Sequence, residues 1–85
     1  NVARGDIVDD DALIEALDSK KVSAVGLDVY KNEPKLNPGY LKHKRAFVLP
    51  HLGSATFETR TAMANLAIDN ISEFFETGSC KNKVN

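Results

Sequence analysis

The sequence of 85 residues predicts an α/β fold with parallel strands and a long C-terminal helix. Two short runs, at residues 23–30 and 46–49, have the continuous hydrophobicity of buried parallel strands. Apolar residues recur at helical spacing at 10–20, before the first run, and at 56–77, after the second. Helix and strand therefore alternate along the chain, which is the order found in parallel α/β proteins.

The first elements are the end of a strand and a short helix. Residues 1–3 have the character of a strand's last residues, and we expect its start to lie upstream, since the first residue is not methionine. The first helix is predicted at 10–20, where Asp9 and the two aspartates after it offer carboxylates to the free N–H groups of the first turn. Its apolar face consists of Leu13, Ala16 and Leu17.

The two predicted strands are separated by a loop. The first, at 23–30, is predicted to be buried on both faces and is ended by Glu33-Pro34. Turn-forming residues follow at 37–40, and the second buried strand is predicted at 46–49.

The long helix is predicted at 56–77, with Thr56 as its N-cap and Gly78 as its C-terminal stop. We divide the chain into residues 1–55 and 56–85. One face of the helix is apolar and consists of Met63, Leu66, Ala67, Ile71, Phe74 and Phe75.

Composition excludes several classes of function. A formal net charge of −1 argues against nucleic-acid binding, and the basic stretch at 42–45 is interpreted as a solvated loop. No window is apolar enough to span a membrane, so we expect no membrane partner. Cys80 is the only cysteine, which excludes a disulfide framework, and two histidines without a ligand pattern predict no metal site. We expect a reducing, cytoplasmic location.

Four side chains that can carry chemistry lie at or near the predicted carboxyl ends of strands: Arg4, Asp28, Glu33 and His51. The carboxyl ends of parallel strands meet at one edge of the sheet, where open α/β proteins bind ligands. We therefore expect these four side chains to face a common crevice.

Each of these residues also has a purely structural interpretation. Arg4 could bind a carboxylate, with Gly5 letting the backbone approach the ligand, or it could pair with Asp6 or Asp9 at the surface. Asp28 could accept a hydrogen bond from a ligand amide or be satisfied by backbone N–H groups.

The acid–base candidates leave a similar choice. Glu33 could reach His51, favour its protonated form and orient the ring, or it could be a solvated loop residue. His51 could exchange a proton near neutral pH or serve only a structural role. His43, in the charged loop, is assigned to solvent.

Three segments resemble signatures of the D-isomer-specific 2-hydroxyacid dehydrogenases. Residues 1–9 are similar to N-x-x-R-G-x-x-V-D, residues 26–34 to G-x-D-V-x-x-x-E-P, and residues 50–56 to P-H-x-G-S-x-T. They occur in the family's order and at plausible separations, and together they span nearly the whole chain except the tail. The segment around His51 is most similar to glyoxylate or hydroxypyruvate reductases, and a glutamate at position 33 argues against formate dehydrogenases, which carry glutamine there.

This resemblance implies hydride transfer between NAD or NADP and a small 2-keto or 2-hydroxy acid. It implies that Arg4 grips the substrate carboxylate, that His51 is the general acid or base, and that Glu33 keeps His51 protonated. It further implies that Asp28 bonds the nicotinamide carboxamide and that the cofactor is lined by Val2, Ala3, Arg4, His51 and Gly53.

The resemblance also implies a domain organisation. Residues 1–55 would be the C-terminal part of a Rossmann-type nucleotide-binding domain, and residues 56–85 would return to a substrate domain. The intact parent is expected to be a homodimer, and the isolated segment to be inactive. Two alternatives stay open: a segment of a dinucleotide-sensing corepressor-like protein, and a partly folded fragment that dimerises through its long helix.

Overall fold

A computed structural model describes all 85 residues and divides them into two compact units, Asn1–Gly53 and Ser54–Asn85. The first unit contains helix α1 (Asp10–Asp18), strand β1 (Val25–Leu27) and strand β2 (Ala46–Val48). It also contains two short 3-10 helices, Gly5–Ile7 and Tyr40–Lys42. The second unit contains helix α2 (Phe57–Thr77). The predicted α/β class with parallel strands and a long C-terminal helix is confirmed.

The two strands pair in parallel, with Val25 opposite Ala46 and Leu27 opposite Val48. Asn1 occupies the other edge of β1, because its amino group donates to the Gly26 carbonyl and its own carbonyl accepts from the Asp28 N–H. This is the hydrogen-bond pattern of a parallel neighbour. Strand β1 is therefore paired along both edges.

The core of the first unit lies on one face of this sheet. Leu17 from α1, Leu27 from β1 and Tyr40 from the second 3-10 helix are buried together. The phenol of Tyr40 donates a hydrogen bond of 2.7 Å to the Asp10 carboxylate, and this pairs the only polar atom that the side chain brings into the core.

Burial on both faces, predicted for the strands, is wrong for this chain. Gly26 and Phe47 point to the face opposite the core, and 67% of Phe47 is exposed. Within residues 1–53, α1 and Tyr40 cover only one face, and no element covers the other. The strands are also shorter than predicted, since β1 ends at Leu27 and leaves Asp28 just beyond it.

Helix α1 begins as predicted, with the Asp9 carboxylate accepting from the Ala12 N–H at 3.0 Å. It ends two residues before the predicted boundary, because Lys20 adopts a left-handed conformation with φ of 61°. That conformation usually requires glycine or asparagine, so this end carries no sequence signal.

The interpretation of residues 42–45 as a solvated loop is wrong for two of its side chains. The Arg45 guanidinium donates to the carbonyl of Leu17 in the last turn of α1 and to the carbonyls of Val22 and Ser23 in the segment that follows. The prediction that His43 lies in solvent is wrong as well, because its side chain is only 13% exposed and its Nε2 lies 3.3 Å from an Asp18 carboxylate oxygen. Both side chains fold back because main-chain carbonyls and the Asp18 carboxylate lie within hydrogen-bond reach at this end of the helix and just after it.

The long helix agrees with its predicted boundaries. The Thr56 hydroxyl accepts from the Thr59 N–H at 3.1 Å, and Gly78 ends the helix with φ of 77°. The tail then turns back, so that the Lys81 N–H donates to the Glu73 carboxylate at 2.8 Å. Helix α2 has no buried residue, and no helix of the chain meets the length and hydropathy needed to cross a membrane.

Candidate active site

His51 and Glu33 form the centre of the candidate site. The Nδ1 atom of His51 lies 2.8 Å from Glu33 Oε2, at the distance of a strong charge-assisted hydrogen bond. The His51 side chain is 48% exposed and the Glu33 side chain 35%, so both are accessible to a ligand. This contact uses only one ring nitrogen, and the Nε2 atom of His51 makes no hydrogen bond within the chain.

His51 stands in an unusual backbone conformation. It follows Pro50 at the end of β2 and has φ of 56°, in the left-handed region that few residues other than glycine adopt. Such a conformation persists only where surrounding contacts hold it, and it is commonest at functional sites. The backbone here turns the imidazole out of the strand and towards Glu33.

Two groups hold the Glu33 carboxylate. Oε2 contacts His51, while Oε1 accepts a hydrogen bond of 3.0 Å from the Tyr30 N–H. The hydrogen bond from His51, followed by that from the Tyr30 backbone, lowers the pKa of Glu33 below its ordinary value. Glu33 is therefore kept as a carboxylate beside the imidazole.

The lowered pKa of Glu33 can be measured by titrating its side-chain carboxyl carbon in a ¹³C-labelled chain. We expect a midpoint below the ~4.3 of an unperturbed glutamate. The lowered value means that the pair contributes to stability above the unfolded pKa of Glu33 and loses that contribution as the pH falls through the folded pKa. In His51→Ala the midpoint should rise towards its ordinary value, whereas the remote variant His43→Ala should leave it in place. An equal midpoint in the unsubstituted chain and in His51→Ala would contradict this prediction.

Arg4 lies beside the same pair. A cavity of about 400 Å³ is lined by Arg4, Glu33 and His51, together with Tyr30. The guanidinium Nη1 donates to the Ala3 carbonyl at 2.6 Å, and no ion pair with Asp6 or Asp9 is formed. Arginine carries five donor hydrogens, so this single bond leaves most of the fork available to a bound carboxylate.

Asp28 is the buried polar group of the site, with 5% of its surface exposed. Its two carboxylate oxygens accept from the backbone N–H groups of Leu52 and Gly53, at 2.7 and 2.8 Å. Satisfaction by backbone N–H groups, one of the two interpretations left open by the sequence, is observed, and each oxygen keeps a lone pair for a further donor. Asp28 thereby ties the loop that follows His51 to the end of β1.

Gly5 and Gly53 both lie where two parts of the chain approach each other closely. A Cβ atom on Gly5 would lie 1.9 Å from the Tyr30 carbonyl carbon, so this glycine lets the backbone approach another part of its own chain. A Cβ atom on Gly53 would lie 3.3 Å from an Asp28 carboxylate oxygen. Val2 and Ala3, the remaining predicted cofactor contacts, are exposed.

Tyr30 also lines the cavity, although the sequence alone assigns it no role. The Tyr30 phenol lies between the ends of both strands, sharing its proton with the carbonyls of Leu27 and Leu49. Its position just after a strand, between Asp28 and Glu33, was the available signal. No group of three or more His, Cys, Asp or Glu side chains in the chain is arranged to hold a metal ion.

Residues 1–53 match the family model described as D-isomer specific 2-hydroxyacid dehydrogenase, NAD binding domain. The chain belongs to this family. Among similar proteins, 2-ketogluconate reductase of Gluconobacter oxydans is 48% identical over 88% of the chain and 24% of its own length. Glyoxylate/hydroxypyruvate reductase B of Cronobacter sakazakii is 46% identical over 100% of the chain and 26% of its own length.

Solved structures of the family are similar throughout the chain. A glyoxylate reductase from Paecilomyes thermophila superposes with a TM-score of 0.94 at 46% identity, over 99% of this chain and 26% of that one. An NADPH-dependent glyoxylate/hydroxypyruvate reductase from Sinorhizobium meliloti, in complex with NADP and malonate, superposes with a TM-score of 0.92 at 41% identity. That match covers 95% of this chain and 25% of the other. The chain thus spans about a quarter of the length of the relatives it matches.

Proposed function

We propose that this chain supplies the proton-transfer and carboxylate-binding part of an NAD(P)-dependent 2-hydroxyacid dehydrogenase or reductase. The observation that carries the proposal is the His51–Glu33 contact of 2.8 Å in a cavity that also contains Arg4. An imidazole, a carboxylate and a guanidinium together can exchange a proton with a carbonyl oxygen and hold a carboxylate beside it.

The three residues take different roles. Glu33 accepts a hydrogen bond from the Nδ1–H of His51. The Nε2 atom is then free to give a proton to the substrate oxygen in reduction and to take it back in oxidation. The negative charge of Glu33 favours the imidazolium that reduction consumes. Arg4 binds the substrate carboxylate through its unused donors and polarises the neighbouring carbonyl.

The residues next to His51 are suited to the nicotinamide end of the cofactor, which supplies or accepts the hydride when bound. Each Asp28 oxygen accepts one backbone bond and retains a second lone pair, which can accept from a carboxamide N–H. Val2, Ala3 and Gly53 are exposed and can line the same ring. We leave pyrophosphate binding to other parts of the intact protein, because the five glycines form no G-x-G-x-x-G pattern.

We infer a small 2-keto acid of the glyoxylate or hydroxypyruvate type as substrate. Similar proteins carry these names, including reductases that match the whole of this chain. We also propose that the intact protein is a homodimer in the cytoplasm, where the free thiol of Cys80 would stay reduced.

A segment exchange tests the proposal. The matching part of the Paecilomyes thermophila glyoxylate reductase is replaced by residues 1–85, and oxidation of NADH and NADPH is measured with glyoxylate and with hydroxypyruvate. We expect saturable turnover in this hybrid enzyme. A hybrid that melts cooperatively, binds cofactor and yet has no turnover with either acid would contradict the proposed function.

A further inference from the structure

Tyr30 contacts every segment that contributes to the proposed site. Its backbone N–H donates to Glu33 Oε1 at 3.0 Å, and its phenol reaches the Leu49 carbonyl, two residues before His51. Gly5, next to Arg4, packs directly against the Tyr30 peptide, with no room for a Cβ atom.

These contacts form a closed ring. From the Tyr30 N–H the ring runs through the Glu33 carboxylate to His51, back along Pro50 to Leu49, and through the Leu49 carbonyl to the Tyr30 phenol. The phenol also contacts the Leu27 carbonyl at 3.2 Å, which accepts from the Leu49 N–H at the end of the sheet. A closed ring restrains the Glu33–His51 geometry more than the single side-chain contact could, because the Tyr30 N–H holds the Glu33 carboxylate while the Tyr30 phenol holds the main chain that leads to His51.

Resting on the proposed function, we propose that Tyr30 is a positioning residue, which sets the distance and orientation between Glu33 and His51 without touching the substrate. The phenol proton is engaged by main-chain carbonyls, so it is not directed into the cavity. Burial raises the pKa of Tyr30 above its ordinary value, which keeps the phenol neutral and donating.

The test compares Tyr30→Phe with a matched control in the hybrid enzyme. Tyr40→Phe also removes a phenol hydroxyl with a hydrogen-bond partner, but that hydroxyl lies in the core and bonds Asp10. We expect Tyr30→Phe to lower kcat about 10- to 100-fold, since misplacement of a catalytic group by 1 Å can cost about 100-fold. The KM for glyoxylate should change little, because Arg4 keeps its contacts.

The pH profile distinguishes positioning from a loss of stability. In Tyr30→Phe the acid limb of kcat/KM should move to higher pH, because a looser bond from His51 no longer lowers the pKa of Glu33 as far. Tyr40→Phe should melt at a lower temperature and keep both kcat and the acid limb. A Tyr30→Phe hybrid with the kcat and acid limb of the unsubstituted hybrid would overturn the inference.

Two further measurements keep the outcomes separate. Hydrogen exchange on the unsubstituted hybrid should find the Tyr30 amide protected, and a freely exchanging amide would overturn the inference even if Tyr30→Phe failed to fold. The variant His51→Ala tests the proposed function itself. Full turnover in His51→Ala would overturn that function, whereas an inactive His51→Ala beside an unaffected Tyr30→Phe would overturn only the role of Tyr30.

Discussion

Replacing His51 with alanine is expected to lower kcat/KM of the hybrid enzyme by about 10²- to 10⁴-fold, which is the range of general acid–base contributions. The imidazole is the one group at the cavity with a free ring nitrogen and a carboxylate partner on the other nitrogen. Without it, the carbonyl oxygen must take its proton from water while Glu33 is left without its partner. The hybrid should still bind cofactor, since we propose that Asp28 and the residues around it bind the nicotinamide end.

The matched control for this prediction is His43→Ala. His43 also contacts a carboxylate, that of Asp18, but the contact is 3.3 Å long and lies at the end of α1. This variant should keep kcat and lose some thermal stability, because its side chain is largely buried. Equal kcat/KM values for the unsubstituted hybrid and His51→Ala would remove His51 from the mechanism.

Replacing Asp28 with alanine is expected to reduce the free energy of unfolding by about 3 kcal/mol, because hydrogen bonds to a charged group contribute about 1.5–3 kcal/mol each. The carboxylate is 5% exposed and accepts from Leu52 and Gly53, so its removal leaves two N–H groups without partners. The loop after His51 would lose its attachment to β1. Urea unfolding of the cofactor-free hybrid measures this effect.

Measuring the cofactor-free form distinguishes the role of Asp28 in holding the loop after His51 from its proposed role in binding the nicotinamide. A residue that served only to bind the nicotinamide carboxamide would not affect stability in the absence of cofactor. Asp28→Asn should lie between the original protein and Asp28→Ala, because one oxygen acceptor remains while the new NH₂ group faces an N–H donor. An unchanged urea midpoint in Asp28→Ala would show that the loop holds itself without this carboxylate.

Much of the fold could be predicted because its signals are local. Asp9 and Thr56 cap helices as expected, and Gly78 ends α2, since each acts on N–H or C=O groups within a few residues. The contact between Glu33 and His51 could also be anticipated, because both follow the ends of strands that pair in parallel.

The errors arise where a distant part of the chain decides the environment. His43 and Arg45 look like solvated charges in a basic stretch, but the end of α1 and the segment after it offer them a carboxylate and main-chain carbonyls. Phe47 is apolar although it points away from the core, so β2 has an unbroken run of apolar residues. The hydrophobic pattern therefore could not show that one face of the sheet is uncovered.

The sequence by itself determined the family, through the resemblance of three segments to its signatures. It also determined the α/β class and the set of side chains at the strand ends, because local periodicity and spacing carry that information. Only the tertiary structure decided how those side chains are held. It assigned the Asp28 oxygens to the loop after His51, placed Gly5 against the Tyr30 peptide and brought the Tyr30 phenol to the ends of both strands. The contact of Tyr30 with Leu49 joins residues 19 positions apart and that of Asp28 with Leu52 joins residues 24 apart, and parallel pairing brings them together at distances that no local pattern encodes.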